Sequence, residues 1–149
     1  MPKPLIFVPC EKVIIDRESN NVSLIAVLSN LNVRLPTNES EKESLIKIVG
    51  ATRWDILVLW LQEPADAGKK FEQYCEVVSP DGSVLTKNRT EFTITERTHR
   101  IITHVQGFPI SRTAGEHRLK LYLRAEDEPE RREVATYPIA VQITLDKST

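Results

Sequence analysis

"HRLKLYLRA", residues 117–125, places Leu119, Leu121 and Leu123 at every second position. Arg118, Lys120 and Arg124 fall between them, with Tyr122 in the same set. A period of two puts the leucines on one face of a β-strand and the charged residues on the other. On a helix, at about 100° per residue, the same leucines would scatter around the axis. A strand with one dry and one wet face belongs to an antiparallel sheet that packs its dry face on a second layer.

The neighbouring segments repeat the pattern. Downstream, the charged tip "EDEPERRE" (126–133) connects to "YPIAVQITL" (137–145). Upstream lie "RIITHVQ" (100–106), which ends at a Gly107 break, and "TEFTIT" (90–95), with Phe92 and Ile94 on one face. "FEQYCEVVS" (71–79) sets Phe71, Cys75 and Val77 against Glu72 and Glu76, then stops at Pro80-Asp81-Gly82. In that turn proline presets φ and glycine supplies a positive φ. Nearer the start, "LIFVPCEKVII" (5–15), the turn cluster "DRESNN" and "VSLIAVLSNLNVRL" (22–35) read as an opening hairpin. "TRWDILVLWLQ" (52–62) is the most apolar run. Strands at this spacing predict an all-β fold: a single antiparallel β-sandwich of about seven to nine strands.

One segment follows another rule. In "SEKESLIKIVG" (40–50), Ser40 and Glu43 have capping-box spacing, and Leu45, Ile46, Ile48 and Val49 fall on roughly one helical face before Gly50. At most one short helix is therefore expected, near 41–49, with an edge strand as the competing reading. No repeat or linker divides the chain, so one domain is expected over residues 1–149.

A chain of 149 residues that is 40% hydrophobic and 28% charged is ordinary for a globular domain. The formal net charge of −1 offers no global field for nucleic acid or an anionic membrane. No apolar run approaches the roughly 18 residues of a spanning helix. "MPKPLIFVPC" is broken by Pro4 and Pro9, too short for a signal-peptide core, and reads as a first strand of a cytoplasmic protein. Cys10 and Cys75 are too far apart for a CxxC metal site and are expected as buried, reduced thiols.

Catalytic spacing is sparse. "TERTHRIITHVQGFPI" (95–110) brings His99 and His104 close in sequence, but a separation of five sends them to opposite faces of a strand. No metal site or cofactor is expected from them. There is no Gly-x-Ser-x-Gly elbow and no glycine-rich phosphate loop, and the acidic runs read as solvated loops without a pocket. No catalytic residue is assigned.

Two patches remain. Trp54, Ile56, Val58 and Trp60 share one face of their strand, while Leu57, Leu59 and Leu61 share the other. A strand apolar on both faces is buried on both. Its second face needs a cover, either the 40–50 segment or a partner surface, and the latter reading predicts a homodimer. Trp54 and Trp60, about 20 Å apart along a strand, would also suit a sugar platform. Separately, Arg97, Arg100, Arg112, Arg118 and Lys120 outnumber Glu96 and Glu116. They form a candidate anion patch, or a solvated strand face.

"CEKVIIDRESNNVSLIAVLSNLNV", "RWDILVLW", "FEQYCEVVSPDG", "THRIITHVQGFPI" and "GEHRLKLYLR" together resemble a family of short bacterial proteins of unknown function. Its members open with a cysteine-containing strand and hairpin and close with a Gly-x-(His/Tyr)-x-Leu-x-Leu strand. The resemblance implies an immunoglobulin-like sandwich and a bacterial, cytoplasmic setting. It carries over no catalytic residue, and fold alone assigns no activity. The expected function is a non-enzymatic protein-interaction or structural module that binds a protein partner or itself. A small-ligand or carbohydrate-binding sandwich is the alternative, with a hydrolase behind it.

Overall fold

The alternation in 117–125 is realised in β8 (Gly115–Ala125), where Leu119, Leu121 and Leu123 are buried and Arg118 is exposed. The computed structural model describes residues 1–36, 46–111 and 114–146. Upstream of β8 lie β1 (Lys3–Ile15), β2 (Val22–Val27), β3 (Asn30–Pro36), β4 (Ile46–Leu61), β5 (Lys70–Val78), β6 (Val84–Thr93) and β7 (Thr98–Ser111). β9 (Arg132–Asp146) follows β8, and one 3-10 turn, Pro64–Asp66, precedes β5.

The strands form two sheets, ordered β2-β1-β4-β7 and β3-β9-β8-β5-β6. Their facing sides enclose one core, which makes the fold an all-β sandwich of nine strands among the described residues. The first sheet contributes Trp54, Ile56, Val58 and Trp60. The second contributes Phe71, Cys75, Val77, Phe92, Leu119, Leu121, Leu123, Ile139 and Val141. Trp60 of the first sheet stacks on Phe92 of the second at 5.7 Å, and within the first sheet Trp54 lies against Phe108 at 5.4 Å. Both indole N–H groups are satisfied: Trp54 donates to the Gly107 carbonyl at 2.8 Å, and Trp60 to Gln73 Oε1 at 2.9 Å.

Four expectations need correction. The run 22–35 is two strands on different sheets. Ala26 takes a left-handed φ of 50°, and the chain then crosses between layers at Leu28 and Ser29. Leu28 still donates to Pro9 of β1, while Ser29 already accepts from Ala140 of β9, both at 2.9 Å. The strand after the crossing, β3, runs parallel to β9, so the sandwich is not wholly antiparallel.

The expected helix near 41–49 fails over its second half. Ile46, Lys47, Ile48 and Val49 pair with Ser111, Ile110, Pro109 and Phe108 as part of β4. β-Branched side chains favour extended backbone, and a long partner strand overrides the helical spacing. Residues 41–45 lie outside the described residues. Gly107 is not a break either: β7 continues through it with a φ of 73°, beside a register shift between Val49 and Arg53 of β4. A positive φ at a bulge suits glycine.

The fourth correction concerns the face of Trp54, Ile56, Val58 and Trp60. These side chains are at most 1% exposed and face the core, so they offer neither an interaction face nor a sugar platform. The opposite side of β4 is covered too, with Leu57 0% and Asp55 4% exposed. Its cover is the β1–β2 hairpin. The Val13 amide donates to Asp55 Oδ2 at 2.9 Å. At the hairpin tip, the Asn20 carbonyl and Oδ1 accept from Arg100 at 2.8 and 3.0 Å. Because Arg100 is the register partner of Leu59, the hairpin runs from above Asp55 to above Leu59 and passes over Leu57. Of the apolar surplus from which a homodimer was expected, Leu57 is buried within the chain, while Leu59 and Leu61 stay half-buried.

Candidate functional site

The three histidines fall in three separate environments. His99 pairs in register with Trp60 and stacks on Phe92 at 5.3 Å, and burial pushes its imidazole pKa down. His104 lies on the opposite face, its Nδ1 2.6 Å from Asp55 Oδ1. His117 is 0% exposed, with Nδ1 3.3 Å from the Gly115 carbonyl and Nε2 unpartnered. Among the described residues no group of three or more His, Cys, Asp or Glu side chains is placed to hold a metal ion.

Asp55 and His104 are the nearest approach to a catalytic pair. Across β1, β4 and β7 the register runs Cys10, Asp55, His104. A nucleophile–base–carboxylate relay needs the imidazole in the middle. Here the carboxylate separates thiol from imidazole. Cys10 is also fully buried, and burial, with Asp55 beside it, pushes its thiol pKa up. This row has the wrong order for nucleophilic catalysis. It orients the Asp55 carboxylate to hold the covering hairpin through Val13.

The basic residues do not gather into one patch. Arg100 is on the outward side of the first sheet, tied to Asn20. Arg118 and Lys120 are on the outward side of the second sheet, paired with Glu116 at 3.4 Å and Glu133 at 3.3 Å. Arg97, the last residue before β7, accepts a backbone bond from Gln62 through its carbonyl. Arg112 lies outside the described residues.

A different cluster occupies the outward side of the second sheet. The register of β6, β5 and β8 lays out three adjacent rows there: Glu91, Glu72, Arg124; then Arg89, Tyr74, Tyr122; then Lys87, Glu76, Lys120. Period two dictates these rows, since Phe71, Gln73, Cys75 and Val77 take the inward positions of β5. Glu72 and Glu76 are only 8% and 4% exposed, although among the described residues no layer lies over them as the hairpin lies over β4. Side chains around them do the burying.

Glu72 accepts from Arg89 and Tyr74, and from Arg124 through Nε at 2.9 Å and Nη2 at 2.8 Å. The Arg89 guanidinium, then the Tyr74 hydroxyl, hold its carboxyl well below the usual range, at about 2. Glu76 has one described partner, Arg131 Nη2 at 2.7 Å from Oε1. Arg131 comes from the β8–β9 turn and sits over both tyrosines, its guanidinium carbon 4.0 Å from the Tyr122 ring centre and 5.2 Å from that of Tyr74. Stacking and a charge-assisted bond together fix a guanidinium plane in place.

Beside this plane opens a cleft of about 780 Å³ lined by Tyr74, Glu76, Lys87, Asn88, Arg89, Arg124, Pro129 and Arg131. Its walls carry four cations, and Lys87 has no ion pair among the described residues. Alternation foretold the outward direction of Glu72, Glu76, Lys120, Tyr122 and Arg124. Nothing local foretold Arg131, which joins the cluster from a turn that reads as solvated. A surplus of arginine opposite buried glutamates is visible only once the strand register is known.

No family model matches the chain, and no curated protein matches it. Among solved structures, the C-terminal domain of wzt is 12% identical with a TM-score of 0.45, over 70% of this chain and 71% of that one. An immunoglobulin-like protein from Pseudomonas aeruginosa is 15% identical with a TM-score of 0.37, over 95% and 97%. A beta-glucuronidase from glycoside hydrolase family 2 is 14% identical with a TM-score of 0.43, over 77% of this chain but only 13% of that enzyme. Likeness at these levels assigns neither a family nor an activity.

Proposed function

We propose that the chain is a non-catalytic binding module and that its recognition surface is the outward side of the second sheet, at the cleft beside Arg131. One observation carries this reading: two carboxylates are buried on a side that no other layer of the described residues covers, under arginines that line an open cleft. Ion pairs removed from water contribute little net stability compared with apolar side chains of similar volume. Preorganised donors around an opening are, in contrast, what a ligand with complementary polar groups requires.

The immunoglobulin-like topology, membership of the resembled bacterial family and a cytoplasmic setting are part of the same proposal. The two buried, unpaired thiols of Cys10 and Cys75 support the reducing compartment.

The test is backbone amide chemical-shift mapping of the labelled protein against short acidic peptides and acidic and neutral oligosaccharides. Saturable shifts confined to β5, β6, β8 and the 126–131 turn are expected for at least one ligand. Shifts confined to the first sheet, or none with any probe, would overturn the assignment of this surface.

A further inference from the structure

We infer that the cleft beside Arg131 takes a carboxylated saccharide, a sugar unit that presents an acidic group and free hydroxyls together. This inference rests on the binding-module reading above and names the ligand class for that site.

The donors point to an anionic oxygen. Arg131 uses Nη2 on Glu76, which leaves the rest of its N–H groups for another acceptor. Lys87, exposed on the cleft wall, adds three more donors with no described partner. Arg124 is more fully committed, with Nε and Nη2 on Glu72 and Nη1 on the Glu128 carbonyl at 2.8 Å. The open cationic positions are therefore Arg131, Lys87 and half-exposed Arg89, whose ion pairs to Glu72 and Glu91 both use Nη2.

Glu76 narrows the class. A carboxylate on the cleft lining repels a simple anion, and its hydrogen-bonding capacity exceeds the single contact it makes with Arg131. It is an acceptor for a ligand O–H placed next to the ligand's own acidic group. Glu72 cannot serve, since Arg89, Arg124 and Tyr74 already occupy it. A ligand that must both accept from Arg131 and Lys87 and donate to Glu76 has the pattern of a sugar acid.

Other classes fit less well. A nucleobase needs a free aromatic face, and Arg131 covers Tyr74 and Tyr122. A protein partner needs an apolar anchor pocket, and the lining offers only Pro129 and the tyrosine edge amid charged groups.

The experiment titrates the intact protein with a galacturonate trisaccharide, the neutral galactose trisaccharide, acetate, inorganic phosphate and a glutamate-rich peptide, with amide shifts as readout. The acidic trisaccharide should bind at the cleft residues, and the neutral one at least about tenfold more weakly, the loss of one good charge-assisted contact. Lys87→Ala and Arg131→Gln should each weaken the acidic trisaccharide by a similar factor. Lys87 is exposed and unpaired, so its variant tests the site without risk to folding. Glu76→Gln separates the roles: it weakens a ligand that donates to Glu76 and strengthens a plain anion.

Preference for acetate, phosphate or the peptide at the same residues, or tighter acidic-sugar binding by Glu76→Gln, overturns the saccharide class and leaves the recognition surface standing. Equal binding of the neutral and acidic sugars also overturns it. No shift at the cleft with any probe removes both readings.

Discussion

The two outward sides of the sandwich solve the same problem in opposite ways. β4 in the first sheet is apolar on both faces, and the chain folds its own β1–β2 hairpin over the second face until Leu57 is sealed. β5 in the second sheet is apolar on one face only, and among the described residues no layer covers its outward side. There the chain seals Glu72 and Glu76 with arginines and tyrosines instead. An apolar face is closed by removing it from water, which is insensitive to salt and pH. A face closed by charge stays addressable, because cations in it such as Arg131 retain capacity for a further acceptor. The location of a candidate site therefore follows from which face the hairpin left alone.

The largest effect should come from breaking the covered side. Leu57→Asp places a carboxylate with no partner under the hairpin, and an unpaired buried charge costs several kcal/mol. Urea denaturation should show a loss of at least about 3 kcal/mol, or the protein should fail to fold. A variant that stays within about 1 kcal/mol of wild type would mean that the hairpin does not hold that face closed.

An intermediate effect belongs to the charged side. Glu72 has a folded pKa of about 2 against an ordinary 4.5. Its charged form is favoured by folding, so its stabilisation is present above the ordinary value and lost as pH falls from about 4.5 toward 2. Melting temperature should decline through that window in the wild type, and Glu72→Gln should flatten the decline while lowering stability at neutral pH. An unchanged acid profile in the variant would show that another carboxylate governs it.

The thiols give the smallest and finest reading. Burial pushes Cys75 up to about 12, and Cys10 is raised by burial and by Asp55, so neither is a ready nucleophile at pH 8. Cys75 sits between the sheets, whereas Cys10 lies on the outward side of the first sheet, in the row of Asp55. If the hairpin opens locally, Cys10 should react with a disulfide reagent faster than Cys75, whose rate should track global unfolding. Equal rates for both would show that hairpin and core open as one unit.

Much of this fold was legible in residue order. Alternation placed Leu119, Leu121 and Leu123 inward and Arg118, Lys120 and Arg124 outward, because one wet face leaves a plain signature. The doubly apolar β4 announced that something must cover it, but not what, since the covering residues are distant in sequence. Trp54 and Trp60 were ambiguous for the same reason: a buried face and a ligand platform have the same composition. The 22–35 run concealed its sheet crossing, because Ala26 is an unremarkable residue with an unusual φ. The Arg131 cluster needed the register of β5, β6 and β8 and the return of a turn, none of which is local information.

The crossing at Leu28 and Ser29 sets an order of events. Among the described residues β3 has a single neighbour, β9, and pairs with it in parallel from Asn30–Ala140 to Pro36–Asp146. The first sheet draws on no residue beyond β7, whereas β3 must wait for the far end of the described chain before its amides find partners. Long-range parallel pairing is slow to close. On a ribosome, β3 therefore emerges early and remains a strand edge without a partner until β9 has been made. A nascent chain halted before β9 would expose that edge to any extended segment nearby, and chaperone dependence should peak over that interval of synthesis.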